Sequence, residues 1–157
     1  MTRAEISTRR KAVNLLMPTI LWPEGCRNPL RVVIKSPAEH RRAVWRISQF
    51  FRREFGYDFD QYEYEGKESD PDHVAYLWVP PDVELAGWRV HCIDATCFRK
   101  REASMRMEWV WLNPFFRSRG LLGNAWPMLK AIHGEFQLCP PLSPAMEGFL
   151  KSLERGK

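Results

Sequence analysis

Residues able to do chemistry gather in two stretches of this 157-residue chain. The first runs from Met105 to Gly123, MRMEWVWLNPFFRSRGLLG. Met105, Met107, Trp109 and Trp111 alternate with Arg106, Glu108, Val110 and Leu112, which is the period of a β-strand. Asn113-Pro114 ends that strand, because proline has no N–H to give to a ladder. Arg117, Arg119 and Gly120 come next, and then an apolar helical run. A strand, a turn with arginine and glycine, and a helix start together make a holder for phosphate. The N–H groups of a first helical turn are unpaired, and the helix dipole adds positive potential there. The second stretch runs from Glu54 to Asp72. It carries eight carboxylates against Lys67 alone, a net −7 within a chain of +5, so the rest of the chain is +12. Tyr57, Tyr62 and Tyr64 lie in it. Carboxylates draw in a cationic amine, and tyrosine faces can hold one by cation–π contact. A polar surface loop is the plainer interpretation of the same composition. The charge division suggests one anionic and one cationic partner.

These stretches need elements to position them. Leu30 to Lys35 is short and β-branched, a first strand. Ser36-Pro37-Ala38-Glu39 has the pattern of a helix start, with Ser36 as cap, Pro37 at the first helical position and Glu39 completing a capping box. The helix should run to about Phe55, with Val44, Ile47, Phe51 and Phe55 on one stripe and Phe50 beside it. Arg41, Arg42, Arg46, Arg52 and Arg53 lie off that stripe as a solvated face. His73 to Val79 is a strand, Pro80-Pro81-Asp82 a turn, and Glu84 to Arg99 the next strand. Arg99 to Glu102 is a charged turn before the strand that carries Glu108. After Gly120 a helix should bury Leu121, Leu122, Ala125, Met128, Leu129 and Ile132, show a kink or an early irregularity at Pro127, and close at His133-Gly134. Glu135 to Cys139 is a strand. Ser143 caps a last helix with Met146, Phe149, Leu150 and Leu153 on its apolar side.

Residues 1–29 form an arm ahead of a single domain over residues 30–157. The arm is basic at Arg3, Arg9, Arg10 and Lys11, apolar from Leu15 to Trp22, and broken by Pro18, Pro23, Gly25 and Pro29. It is expected to lie irregularly on the domain surface; a dimer arm, giving a homodimer, or a contact for an acidic polymer is the sharper alternative.

The run around Glu108 and Gly120 resembles the acetyl-CoA-binding core of the GNAT acetyltransferase superfamily. The family pattern is an acidic strand residue followed by V-x-P-x-x-R-x-x-G-x-G/A. Here Pro114, Arg117 and Gly120 fall in register, Leu122 stands where the family has a small residue, and Gly123 comes one residue late. The order of elements on both sides, from Leu30 to Leu153, is also that of the family. The resemblance implies an α+β fold, with a mixed, mostly antiparallel central sheet flanked by helices and two central strands splayed to admit the cofactor. It implies acetyl-CoA as co-substrate and transfer of its acetyl group to a primary amine of a cationic acceptor. Backbone N–H groups of Ser118, Arg119, Gly120, Leu121, Leu122 and Gly123 would hold the pyrophosphate, with charge from Arg117 and Arg119. Backbone at Trp111 and Leu112 would pair with pantetheine and polarise the thioester carbonyl. Glu108 would take the proton, its carboxyl raised by apolar neighbours Val110 and Leu112; the alternative is a glutamate paired with Arg106 or another arginine. The tyrosine that many family members carry in the last helix is replaced by Phe149 or Leu150. Tyr64 or Tyr76 could supply the acid, or the thiolate, with a pKa of about 8.5, leaves without one.

Other classes follow from the composition. An acyl-CoA-binding protein of the same fold without turnover is the alternative to the enzyme. Nucleic-acid binding rests only on arginine content, since no reader motif accompanies it. His91, Cys92 and Cys97 match no zinc spacing, so no metal is expected. No apolar run approaches the ~20 residues that span a bilayer, so no membrane partner is expected. Four cysteines in a chain this long are not a disulfide framework, and the N-terminus lacks a secretory apolar core, which together point to a cytoplasmic protein with reduced thiols.

Overall fold

The computed structural model describes residues 17–58, 60–62, 72–81, 83, 85, 87–114, 120–140 and 142–155. Their strands are β1 (Thr19–Leu21), β2 (Leu30–Val32), β3 (His73–Trp78), β4 (Arg89–His91), β5 (Asp94–Arg101), β6 (Ser104–Trp111) and β7 (Gln137–Leu138). Their helices are α1 (Ala38–Phe55), α2 (Leu121–His133) and α3 (Pro144–Arg155). Five strands form one sheet in the order β2-β3-β5-β6-β7. Its neighbours are antiparallel except for β6 and β7, which run parallel. The architecture is therefore α+β, with a mixed, mostly antiparallel sheet and helices on both faces. No helix among the described residues is long and apolar enough to cross a membrane.

The sheet separates two apolar clusters. On one face Ala43, Val44 and Ile47 of α1 pack against Ala75, Leu77, Ala95, Cys97, Trp109 and Trp111. On the other, Leu122, Ala125 and Leu129 of α2 and Met146 of α3 pack against Tyr76, Trp78, Phe98 and Met107. Alternation along β3 and β5 sends successive side chains to opposite clusters, as the strand period requires.

Several expectations change in the structure. Residues 17–22 are no surface arm: Met17, Ile20 and Trp22 are buried in the α1-side cluster, and β1 pairs antiparallel with β4 in a small second sheet. The three prolines and Gly25 hid this strand, because it is only three residues long and lies between breakers. Glu84 to Arg99 is not one strand but β4 and β5, with Cys92 and Ile93 between them. The first strand stops at Val32, since Val33 N–H donates to Ser36 Oγ at 2.9 Å rather than to a neighbouring strand. That hydroxyl is thus spent on the turn, and α1 begins without a side-chain cap, Pro37 standing at the cap position. Glu39 completes no capping box; it accepts from Leu21 N–H at 3.3 Å and pairs with Arg89 of β4. Tertiary partners outcompete the local one. Helix α2 contains Pro127, and the expected stripe loses Ile132, which is half exposed. Ser143 does cap α3, accepting from Met146 N–H at 3.1 Å.

Candidate functional site

The register of β5 and β6 breaks at one residue. Cys97 faces Trp109, but Phe98 faces Met107, so Glu108 is an extra residue without a partner on β5, a β-bulge. An inserted residue reverses the alternation beyond it. Met105 and Met107 accordingly join the α2–α3 side, whereas Trp109 and Trp111 join the α1 side. The sequence pattern had placed all four on one side.

Strand β7 leaves β6 at the same place. It pairs only at Arg106 with Gln137 and Met107 with Leu138, and Cys139 N–H then donates to Met107 O at 3.1 Å. Beyond Met107, β6 has β5 on one side and no strand on the other among the described residues. A cleft of about 270 Å³ opens there. One wall is Met107 to Val110, the opposite wall is Leu138 to Pro140 with Met146, and Phe51, Phe55 and Tyr57 close the α1 end.

Glu108 lines this cleft from the bulge. Its carboxylate lies 3.4 Å from His73 Nε2, 3.4 Å from Arg101 and 4.0 Å from Arg99. His73 pairs with Arg99 across β3 and β5, so these groups share the α1 side of the sheet. Val110 and Leu112 pack instead on the α2–α3 side. Burial pushes the Glu108 carboxyl up, but His73, Arg99 and Arg101 outweigh it and hold the group below the ordinary carboxylate range. The expected rise rested on Val110 and Leu112 as neighbours, and the bulge removes them. Glu108 is therefore ionised near neutrality.

Tyr76 lies across the sheet from Glu108. It is 2% exposed on the α2–α3 side, and its hydroxyl hydrogen-bonds His133 Nε2 at 2.8 Å. Burial raises its pKa. It lines no part of the cleft, and the sheet stands between it and Glu108. Tyr64, Arg117, Ser118 and Arg119 lie outside the described residues. Of the acidic stretch, Asp60 is held by Arg52 at 2.9 Å, and the same guanidinium donates to the carbonyls of Tyr57 and Asp58. Tyr57 stacks on Phe51 with ring centroids 5.4 Å apart and reaches the cleft, whereas Tyr62 is buried beside His73.

The strand's exit is fixed from below. Asp94, 1% exposed, accepts from the Asn113 N–H at 2.6 Å. Trp111 donates its indole N–H to Glu54 at 2.6 Å and stacks on Phe50. Leu112 packs on the other face. Gly120 starts α2 at φ 76°, a left-handed conformation that strains any side chain, and its carbonyl takes Asn124 N–H at 2.8 Å. Leu121, Leu122 and Gly123 then offer N–H groups with no intrahelical acceptor. Leu122 is 3% exposed, and its side chain is drawn into the core rather than toward the turn. At Gly123 an added Cβ would lie 3.6 Å from the Phe149 ring, so this glycine also sets how closely α2 and α3 pack.

Sequence reasoning missed His73 as partner of Glu108, and missed Phe51, Phe55, Tyr57 and Cys139 as cleft walls. The two phenylalanines carried a signal, but a helical apolar stripe reads as core. No group of three or more metal-ligating side chains occurs among the described residues. No protein-family model matches the chain, and no curated protein matches it.

Proposed function

We propose that this chain is an acetyl-CoA-dependent N-acetyltransferase of the GNAT type, transferring acetyl to the primary amine of a cationic acceptor. The observation that carries the proposal is the parting of β6 and β7 at the Glu108 bulge, which opens a cleft beside a strand leading to the glycine-started helix α2. An extended pantetheine arm would lie along β6 near Trp111 and Leu112, past the point where β7 leaves the strand. Its pyrophosphate would meet the N–H groups of Ser118 to Gly123, with charge from Arg117 and Arg119. The amine would enter from the α1 side, where Phe51, Phe55 and Tyr57 wall the cleft. The nitrogen attacks the thioester carbon, the C–S bond breaks, and CoA leaves as thiolate. The amine's proton passes to solvent through the region of ionised Glu108.

The second proposal, an acyl-CoA-binding protein without turnover, is favoured by one observation: Glu108 is already engaged by His73, Arg99 and Arg101. Thiol release from acetyl-CoA with a panel of amines separates the two. Acetyl-CoA at about 100 times its Kd should stabilise the chain by about 2.7 kcal/mol, raising Tm by about 5–10 °C for a domain of this size. Both proposals fail without that shift; the enzyme fails if the shift occurs and no amine releases thiol.

Cys139 provides a separate check. It is partly exposed on the cleft wall, whereas Cys92 and Cys97 are buried and burial pushes the Cys92 thiol up to about 12. In a Cys26→Ser background, N-ethylmaleimide should label Cys139, stop acetyl-CoA binding, and be slowed at least tenfold by acetyl-CoA. Equal labelling rates with and without acetyl-CoA would place the ligand elsewhere.

A further inference from the structure

A second cavity, of about 590 Å³, shares no lining residue with the cleft. It lies between α2 and the segment that leads into β2. Its floor is apolar: Trp78 is buried, Met128 is half-buried, and Ile132 is 50% exposed, a large side chain with its apolar surface in water. Its rim is cationic. Arg27 and Arg31 both line it and are exposed, and among the described residues no carboxylate lines it and neither guanidinium has an ion pair. Arg31 stands opposite Tyr76 in the β2–β3 register, which places the two side chains on one face as cross-strand neighbours. The wall is held in place: Asn28 donates through Nδ2 to Val79 O at 2.8 Å and accepts Val79 N–H at 3.1 Å. The volume is in the range of pre-formed small-molecule sites, which pair an apolar lining with a few placed polar groups.

We infer that this cavity binds an unbranched alkyl carboxylate, its head group on Arg27 and Arg31 and its chain along Trp78, Met128 and Ile132. The head group supplies the anion the rim lacks. The chain covers the apolar surface that Ile132 leaves in water. A guanidinium takes a carboxylate through two parallel N–H donors, a geometry an alcohol cannot match. The site does not depend on the acetyltransferase proposal.

Isothermal titration of the full chain with decanoate, decanol and inorganic phosphate tests it. Decanoate should bind one per chain, at least tenfold more tightly than decanol or phosphate. Arg31→Gln and Ile132→Asp, both at exposed positions, should each weaken decanoate at least tenfold while leaving Tm within about 2 °C. Acetyl-CoA should leave the decanoate affinity unchanged. Decanol binding as tightly as decanoate, indifference to Arg31→Gln, or displacement of decanoate by acetyl-CoA would each overturn the inference. So would the absence of decanoate binding.

Discussion

Asp94→Ala should cost the folded chain about 2–3 kcal/mol, the loss expected when a buried N–H is left without its acceptor. The carboxylate is 1% exposed and takes the Asn113 N–H at 2.6 Å, where β6 ends and the turn toward Gly120 begins. The bond is short, and donor and acceptor residues are both buried, so the N–H has no exposed face from which to recover the loss. For a domain of this size the cost corresponds to a Tm fall of about 5–10 °C. Asp94→Asn keeps an oxygen able to accept the same N–H and should recover most of that loss. Because the bond anchors the approach to the proposed phosphate turn, Asp94→Ala should also weaken acetyl-CoA at least tenfold, since small misplacements of a positioning element are costly. Differential scanning calorimetry of the three proteins, with and without acetyl-CoA, measures both effects. A Tm within about 2 °C of the native value would show that the bond contributes little.

The second large effect concerns Glu108. A positioned proton acceptor typically contributes 10²- to 10⁴-fold. Glu108 is a weak base because its cationic neighbours outweigh burial and hold its carboxyl low. Glu108→Gln should therefore lower kcat/KM by about 10- to 100-fold, the lower part of the range. The pH profile should show no inflection from Glu108 between about pH 5 and 8. Instead log kcat/KM should climb with unit slope toward the acceptor's own amine pKa, about 10 for a lysine-type group. An inflection near pH 6–7 that vanishes in Glu108→Gln would restore the raised carboxyl the sequence suggested. Stability gives an independent reading. A carboxyl lowered in the folded state contributes stability above its unfolded pKa of about 4.3 and loses it as pH falls through the folded pKa, because the unfolded chain then binds more protons. Urea unfolding should thus separate native protein from Glu108→Gln at pH 7, and the gap should close toward pH 3.

The residues that made the fold legible were those with local signals. The alternation from Met105 to Trp111, the apolar spacing from Val44 to Phe51, and the Ser143 cap each produced the element expected. The bulge at Glu108 was not legible, because one inserted residue leaves no mark in composition or period. Yet it decides which face receives Trp109 and which groups meet the carboxylate. Glu39 shows the same limit from another side. Its spacing from Ser36 fits a capping box, but Arg89, fifty positions away in the chain, claims its carboxylate. The cleft itself was half visible: the strand and the glycine-led helix could be read, but the departure of β7 depends on a two-residue pairing that no sequence pattern announces. The burial of Ile20 and Trp22 was hidden for a similar reason, since β1 exists only because β4 lies beside it.

The central claim is that an acyl-CoA occupies the gap between β6 and β7. Titrating acetyl-CoA into the native chain and into Cys139→Trp, with heat as the signal, tests it most directly. The native chain should bind one molecule, and the indole placed on the cleft wall should weaken binding at least tenfold while Tm stays within about 3 °C. No heat from the native chain, or equal affinity in the two proteins, would contradict the account.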